Sequence, residues 1–199
     1  MLLFPVLIFL AVGVYGVVHS FLASIWFKER MHERFGPQVD RWYRLAYNVF
    51  ATLSLLPVLA LPVMLPDVPL YTISAPWIYF SIAGQLVAVL MLVAGLLQTG
   101  VWSFMGLRQL LGEGQEPGKM VVSGLYRYVR HPLYTAGLLF IWLTPVMSAN
   151  LMGLNLGFTA YLILGALVEE RKLRRQFGQA YARYQAETPM LIPRLPGGK

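Results

Sequence analysis

Long stretches without any charged side chain constrain this chain more than any other feature. Residues 1–27, residues 45–66 and residues 131–168 contain no Lys, Arg, Asp or Glu. About 20 consecutive apolar residues are enough for a helix to cross the hydrocarbon core of a bilayer. Only 13% of the residues are charged, against about 25% in typical soluble domains. The sequence therefore predicts an integral membrane protein.

The apolar stretches predict an all-α membrane fold with five transmembrane helices in a single domain that covers residues 1–199. The spans are expected at residues 2–23, 45–65, 77–98, 133–148 and 151–168. The last two spans are slightly short and are expected to form a helical hairpin that turns near Asn150. Pro57 and Pro62 lie inside the second span, where neighbouring helices can accommodate the kinks that they introduce.

The basic residues predict how the chain is oriented in the membrane. Of the 16 Lys and Arg residues, five lie between the first two spans, four between the third and fourth, and seven after the fifth. Because basic loops stay on the cytoplasmic side, the amino terminus is expected outside and the carboxyl terminus in the cytoplasm. The rule that basic loops stay in the cytoplasm, together with their attraction to anionic lipid headgroups, explains the net charge of +7. Nucleic-acid binding is therefore not expected.

The segment after the last span predicts a cytoplasmic amphipathic helix. Leu173, Phe177, Tyr181 and Tyr184 recur at helical spacing, with basic residues around the rest of the helix. Such a helix either rests among lipid headgroups or covers a pocket, and the two roles are compatible.

Ionisable residues gather at the open end of the predicted hairpin. His131 comes directly before Pro132, a residue suited to the first turn of a helix, so His131 is expected at the helix entrance. Arg130 lies beside it, and helix amino termini attract anions. Glu169 and Glu170 end the fifth span at the same membrane face. Because ionisable groups in a membrane are costly unless paired or wetted, their grouping predicts a functional site.

Simpler interpretations of these residues remain open. Arg130 can be a topology anchor and His131 an interfacial side chain. Glu170 can form an ordinary helix-surface pair with Arg174, which contributes only about 0.2–0.5 kcal/mol. The alternative is that one of the two glutamates turns inward toward His131 and accepts hydrogen bonds from a bound cofactor.

Other chemistries are disfavoured by composition. The chain has no cysteine, which excludes disulfides, thiolate metal sites and a cysteine nucleophile. Its three histidines have no metal-binding spacing, and no metal is expected. His19, inside the first span, is expected to form hydrogen bonds between helices.

The motifs of the second half of the chain resemble those of a known superfamily. Residues 124–134 read G-x-Y-R-Y-x-R-H-P-x-Y, and the glutamate pair and F-G-x-x-Y (residues 177–181) follow. This order resembles the isoprenylcysteine carboxyl methyltransferase superfamily of membrane enzymes that use S-adenosylmethionine. Segments that begin at His19, Tyr43 and Gly106 are similar to its bacterial branch of methanethiol S-methyltransferases and NnrU-like proteins, which implies the bacterial inner membrane.

The resemblance implies an S-adenosylmethionine site within residues 106–193. The cofactor contacts it implies are Gly118, Lys119, Met120, Val121, Tyr126, His131, Pro132, Leu133, Tyr134 and Glu169. Glu170 is a further candidate contact from its place in the glutamate pair. The candidate catalytic residues are His131, Arg130 and Glu169. One departure matters: eukaryotic members that methylate the prenylcysteine carboxylate have a substrate-contacting arginine where this chain has Gly165. The change suits a smaller or more apolar nucleophile.

The leading functional hypothesis is S-methylation of a small or membrane-soluble thiol, such as the conversion of methanethiol to dimethyl sulfide. A thiol must lose its proton before it attacks, and His131 is the nearby side chain whose ordinary pKa lies near neutrality, so it is the candidate base. Two alternatives remain: a methyltransferase that acts on a lipid or isoprenoid acceptor, and a non-catalytic NnrU-like membrane accessory protein. Membrane lipids are expected partners, and no obligate protein partner can be inferred.

Overall fold

The computed structural model describes residues 2–102, 107 and 120–194, and it is mostly helical. The helices are α1 (Leu3–Ala23), α2 (Ile25–Phe35), α3 (Gln38–Met64), α4 (Trp77–Thr99), a short 3-10 helix (Gly124–Arg127), α5 (Pro132–Trp142), α6 (Ala149–Phe177) and α7 (Gln179–Glu187). Two short strands, β1 (Pro69–Thr72) and β2 (Val146–Ser148), pair as a two-stranded sheet.

Four helices among the described residues are long and apolar enough to cross a membrane: α1, α3, α4 and α6. This finding confirms the expectation of a helical membrane protein. Helix α3 begins at Gln38, several residues before the predicted span, and α6 continues to Phe177 through the glutamate pair. Helix α6 ends where Gly178 adopts a positive φ of 54°, a conformation that glycine reaches without steric cost. The residues expected to form one tail helix are thus divided between α6 and α7.

Helix α5 is shorter than the predicted fourth span at residues 133–148. It has 11 residues, and at a rise of 1.5 Å per residue that is about 17 Å, against a hydrocarbon core of about 30 Å. The helix ends before Pro145, which has no N–H to continue the helical ladder. The carbonyl of Pro145 instead accepts a hydrogen bond from the Ile73 amide at 2.8 Å, and the chain enters β2. The count of five spans stays a prediction.

The chain divides into two compact units. The first contains α1, α2, α3 and the start of α6 up to Tyr161, and the second contains α4, the 3-10 helix, α5, α6 from Leu162 and α7.

The core of the first unit forms where α1 packs closely on α6. Ile8, Val12 and Leu154 are buried there. A Cβ at Gly153 would lie only 2.3 Å from the carbonyl oxygen of Pro5. A glycine at this position therefore lets the two helix backbones approach, as small residues commonly do between membrane helices.

His19 joins three helices of the first unit. Its Nε2 lies 2.6 Å from the hydroxyl of Tyr47 on α3, and its Nδ1 lies 2.7 Å from the hydroxyl of Tyr161 on α6. A neutral imidazole donates from one nitrogen and accepts at the other, so both hydroxyls can be satisfied. The expected role of His19 between helices is confirmed.

Asp67, which lies in the link between α3 and β1, caps the start of α6. Its Oδ1 accepts hydrogen bonds from the amide of Asn150 at 2.9 Å and from the amide of Val68 at 2.7 Å. Burial acts to raise the pKa of Asp67, but these two bonds and one from Ser148 outweigh it and lower the pKa below its ordinary value. The carboxylate therefore supplies a partner for one of the amides that every helix leaves free in its first turn.

We expect Asp67→Ala to destabilise the protein by about 0.5–2 kcal/mol at neutral pH, the usual effect of removing a helix cap. A lowered pKa in the folded state means that the contribution is complete above the ordinary pKa and is lost as the pH falls through the lowered value. Thermal unfolding in detergent from neutral to acidic pH should show the difference between wild type and variant shrinking at the acidic end. An equal difference at all pH values would contradict the ionic cap.

In the second unit, two glycines of α4 let α5 pack closely. A Cβ at Gly84 would lie 2.3 Å from Leu143, and a Cβ at Gly95 would lie 2.7 Å from Leu133. Near the end of α4, the Gln98 side-chain oxygen accepts a hydrogen bond from the Leu125 amide at 3.3 Å. These contacts hold α5 and the 3-10 helix before it against α4.

Candidate active site

A buried polar network lies at the start of α5, within the second unit. Glu170 on α6 is its centre: Oε1 accepts a hydrogen bond from Arg130 Nε at 2.6 Å and lies 3.3 Å from His131 Nε2. Its other oxygen, Oε2, accepts from the side-chain amide of Gln185 on α7 at 2.9 Å. The Arg130 and Glu170 side chains are each 10% exposed. We call Arg130, His131, Glu170 and Gln185 the Glu170 network.

This network assigns the tautomer of His131. An ionised carboxylate only accepts hydrogen bonds, so the proton between His131 and Glu170 belongs to Nε2. The other nitrogen, Nδ1, lies 3.7 Å from Oε2 of Glu169. In the neutral imidazole, Nδ1 is therefore the nitrogen that carries the lone pair, and it lies against the Glu169 carboxylate rather than against Glu170.

Arg130 also holds the segment that follows α7. Its Nη1 donates to the carbonyl of Gln185 at 3.1 Å and to the carbonyl of Thr188. The backbone amides of Arg130 and His131 donate to the carbonyls of Pro189 at 2.9 Å and Met190 at 3.1 Å. The residues after α7 therefore run alongside the start of α5, and Arg130 joins them to Glu170.

The two adjacent glutamates have different surroundings. The Glu169 side chain is 46% exposed, and its Oε2 accepts a hydrogen bond from the Tyr134 hydroxyl at 2.9 Å. The Tyr134 ring stacks on the His131 ring, with centroids 5.3 Å apart and an interplanar angle of 13°. Burial, and then the charge of Glu169, raise the pKa of Tyr126. His131, Tyr134 and Glu169 therefore lie together. We call these three residues and Tyr126, whose pKa the Glu169 charge raises, the Glu169 cluster.

Two tyrosines of α7 pack beside these groups, with their rings edge to face at 5.9 Å. The Tyr184 hydroxyl donates to the carbonyl of Tyr126 at 2.5 Å. The Tyr181 hydroxyl has no hydrogen-bond partner within the described part of the chain, although the residue is only 2% exposed. Burial and the neighbouring Glu170 carboxylate raise the pKa of Tyr181 to about 12.

The remaining predicted site residues fall in several surroundings. Pro132 is fully buried in the first turn of α5, while the Leu133 side chain packs against Gly95 of α4. Met120 and Val121 are half-buried before the 3-10 helix. Gly118 and Lys119 lie outside the described residues. The roles assigned to all these residues stay predictions.

Sequence reasoning missed the contact between Arg130 and Glu170 and the part played by Gln185. The motif placed Arg130 and Glu170 at one membrane face, but it gave no reason to pair these two residues, which are 40 positions apart. Gln185 belongs to none of the motifs. Its only signal in the sequence is its position on the predicted tail helix, for which covering a pocket is one of the two expected roles.

Comparison with known proteins identifies the family. The phospholipid methyltransferase family profile matches residues 81–180. A methanethiol S-methyltransferase of Pseudomonas sp. (strain GM41(2012)) is 30% identical over 92% of this chain and 71% of the relative. Methanethiol S-methyltransferase 1 of Bradyrhizobium diazoefficiens is 29% identical over 92% of this chain and 65% of the relative. The methanethiol S-methyltransferase of Mycobacterium tuberculosis is 28% identical over 91% of this chain and 75% of the relative.

No solved structure matches this chain significantly. The family match covers half of the chain and includes both the Glu169 cluster and Glu170. The resemblance seen in the motifs is confirmed: the chain belongs to the phospholipid methyltransferase family and is a membrane methyltransferase.

Proposed function

We propose that this methyltransferase transfers a methyl group from S-adenosylmethionine to a small or membrane-soluble thiol at the cytoplasmic face of the membrane. The observation that carries the proposal is the Glu169 cluster, in which a half-exposed carboxylate lies 3.7 Å from Nδ1 of the oriented His131 ring. Relatives that share most of the chain are named methanethiol S-methyltransferases, which favours a small thiol such as methanethiol as the acceptor.

The residues of the second unit fit S-adenosylmethionine as the donor. When bound, it supplies a methyl group activated by a positively charged sulfonium. Its ammonium and hydroxyl groups need hydrogen-bond acceptors, and Glu169 offers a carboxylate that only Tyr134 engages among the hydrogen bonds described above. Tyr126, Pro132, Leu133 and the segment from Gly118 to Val121 are proposed as further contacts, as the resemblance implies.

His131 is proposed as the base that prepares the thiol. Its Nδ1 accepts the thiol proton, while Glu170 holds Nε2–H and stabilises the imidazolium that forms. The thiolate sulfur then forms the new S–C bond as the bond between the methyl carbon and the donor sulfur breaks. Because this displacement neutralises charge, alignment and the exclusion of water supply much of the acceleration. We propose that Arg130 and Glu170 act by positioning His131.

Gly165 supports a small acceptor without a carboxylate. It lies on α6 one turn before Glu169, and among the described residues nothing lies within 4 Å of the position where a Cβ would stand. No cationic side chain in the described part of the chain therefore lies there to pair with an acceptor carboxylate. The second candidate, a lipid or isoprenoid acceptor, is favoured by the family description. The family match leaves no reason to retain the non-catalytic alternative.

We propose the following arrangement in the membrane. The chain forms one domain in the bacterial inner membrane, with its amino terminus outside and its carboxyl terminus in the cytoplasm. The short α5, with the residues that follow it, serves as the fourth of five spans and forms a hairpin with α6. The distribution of the 16 Lys and Arg residues supports this orientation.

Purified protein incubated with methyl-labelled S-adenosylmethionine and methanethiol is expected to release labelled dimethyl sulfide, measured in the headspace. Glu169→Ala serves as the control and is expected to lose the product. Product from wild type alone would support the proposal. Binding of the donor without product would contradict the thiol acceptor and favour a lipid, whereas the absence of both would contradict the proposal as a whole.

A further inference from the structure

Tyr181 on α7 carries a deeply buried hydroxyl. The residue is 2% exposed, and its hydroxyl has no partner within the part of the chain that the structure describes. A buried polar group without a partner lowers stability, so the few that folded proteins retain call for an explanation. Its neighbour Tyr184, in ring contact with it, is satisfied by the Tyr126 carbonyl. Of these two buried, adjacent tyrosines, Tyr184 therefore has a hydrogen-bond partner among the described residues and Tyr181 has none.

The surroundings of the Tyr181 hydroxyl are those of the proposed donor site. Glu170, Arg130 and Glu169 are the charged groups that act on it. Both oxygens of Glu170 already accept hydrogen bonds, one from Arg130 and one from Gln185. Tyr181 lies one helical turn before Gln185, which donates to Glu170, and its ring contacts Tyr184, whose hydroxyl donates to the Tyr126 carbonyl. These contacts place the Tyr181 side chain next to residues of the proposed donor site, where its hydroxyl can act as a hydrogen-bond donor.

We infer that the Tyr181 hydroxyl is a binding contact for the methyl donor and donates a hydrogen bond to the donor's carboxylate. The inference rests on the proposed function. Glu169 suits the ammonium end of an amino-acid group, and the carboxylate of the same group requires a hydrogen-bond donor nearby. Hydrogen bonds from a hydroxyl to an ionised carboxylate are among the stronger ones in proteins. A ligand carboxylate would supply the partner that this hydroxyl lacks among the described residues.

Tyr181→Phe and the matched control Tyr184→Phe test the inference in the full-length protein in detergent. Binding of S-adenosylhomocysteine is measured by calorimetry, and thermal unfolding is measured without ligand. Tyr181→Phe is expected to weaken binding about tenfold while leaving the unfolding temperature unchanged or higher, because it removes an unsatisfied group. Tyr184→Phe is expected to lower the unfolding temperature, because it removes a satisfied hydrogen bond, and to keep the affinity.

A second measurement removes the carboxylate from the ligand instead of the hydroxyl from the protein. Decarboxylated S-adenosylhomocysteine is expected to lose affinity for the wild type and to lose much less for Tyr181→Phe, since the two changes remove the same hydrogen bond. Equal losses in both proteins, or unchanged affinity in Tyr181→Phe, would overturn the inference and leave the proposed function standing. Wild type that fails to bind S-adenosylhomocysteine would instead count against the proposed function itself.

Discussion

Glu169→Gln is expected to weaken binding of the methyl donor by about 10- to 100-fold, the effect of losing a hydrogen bond to a charged group. The carboxylate is half-exposed and held by Tyr134, so it is available to a ligand. Because an exposed charge contributes little to folding, the variant should unfold at nearly the wild-type temperature. Calorimetric titration with S-adenosylhomocysteine measures the first quantity, and thermal unfolding without ligand measures the second.

Glu170→Gln is the matched control, since it changes the next residue in the same way. Glu170 is buried and bound by Arg130, His131 and Gln185, so its loss should lower the unfolding temperature substantially. The two variants should therefore differ: Glu169→Gln should lose ligand affinity, and Glu170→Gln should lose stability. If Glu169→Gln kept full affinity while a folded Glu170→Gln lost it, the roles assigned to the pair would be exchanged.

The bounds of two long apolar helices could be predicted closely from the sequence because hydrophobicity alone decides them. Helices α1 and α4 begin and end within a residue of the predicted bounds. The extra turns at the start of α3 and the whole of α2 were missed, because these segments are rich in charged residues and have no hydrophobic signal. The break after Trp142 depends on a hydrogen bond between the Pro145 carbonyl and the distant Ile73 amide, which no local pattern predicts.

The candidate site could be predicted as a group of residues but not as a network. The motif brings Tyr126, His131, Tyr134 and Glu169 into one hypothesis, and the structure places His131, Tyr134 and Glu169 in contact. The direction in which each glutamate points depends on tertiary packing: helix periodicity separates neighbouring residues by about 100° but does not say which one faces inward. The helical spacing of Tyr181 with Leu173, Phe177 and Tyr184 predicts that its ring is buried. It does not predict that its hydroxyl lacks a partner among the described residues.

Arg130→Met is expected to destabilise the protein by about 3–5 kcal/mol, the usual effect of removing one partner of a buried ion pair. The substitution leaves the Glu170 carboxylate buried without its cation. It also leaves the carbonyls of Gln185 and Thr188 without the guanidinium that joins them to the start of α5. Denaturant or thermal unfolding in detergent measures the loss of stability. A near-ultraviolet circular dichroism spectrum that matches that of the wild type shows that the variant is folded before unfolding begins.

The double variant Arg130→Met with Glu170→Gln separates the ion pair from the rest of the network. Once the buried charge of Glu170 is removed, the absence of Arg130 should matter less. The double variant should therefore lose less free energy of unfolding than the two single variants lose together, by about 0.5–3 kcal/mol. Strictly additive losses would mean that Arg130 acts only through the backbone carbonyls that it binds. A positive coupling would show that the carboxylate orienting His131 is held in its charged form by Arg130, which connects the stability of this fold to the chemistry proposed for it.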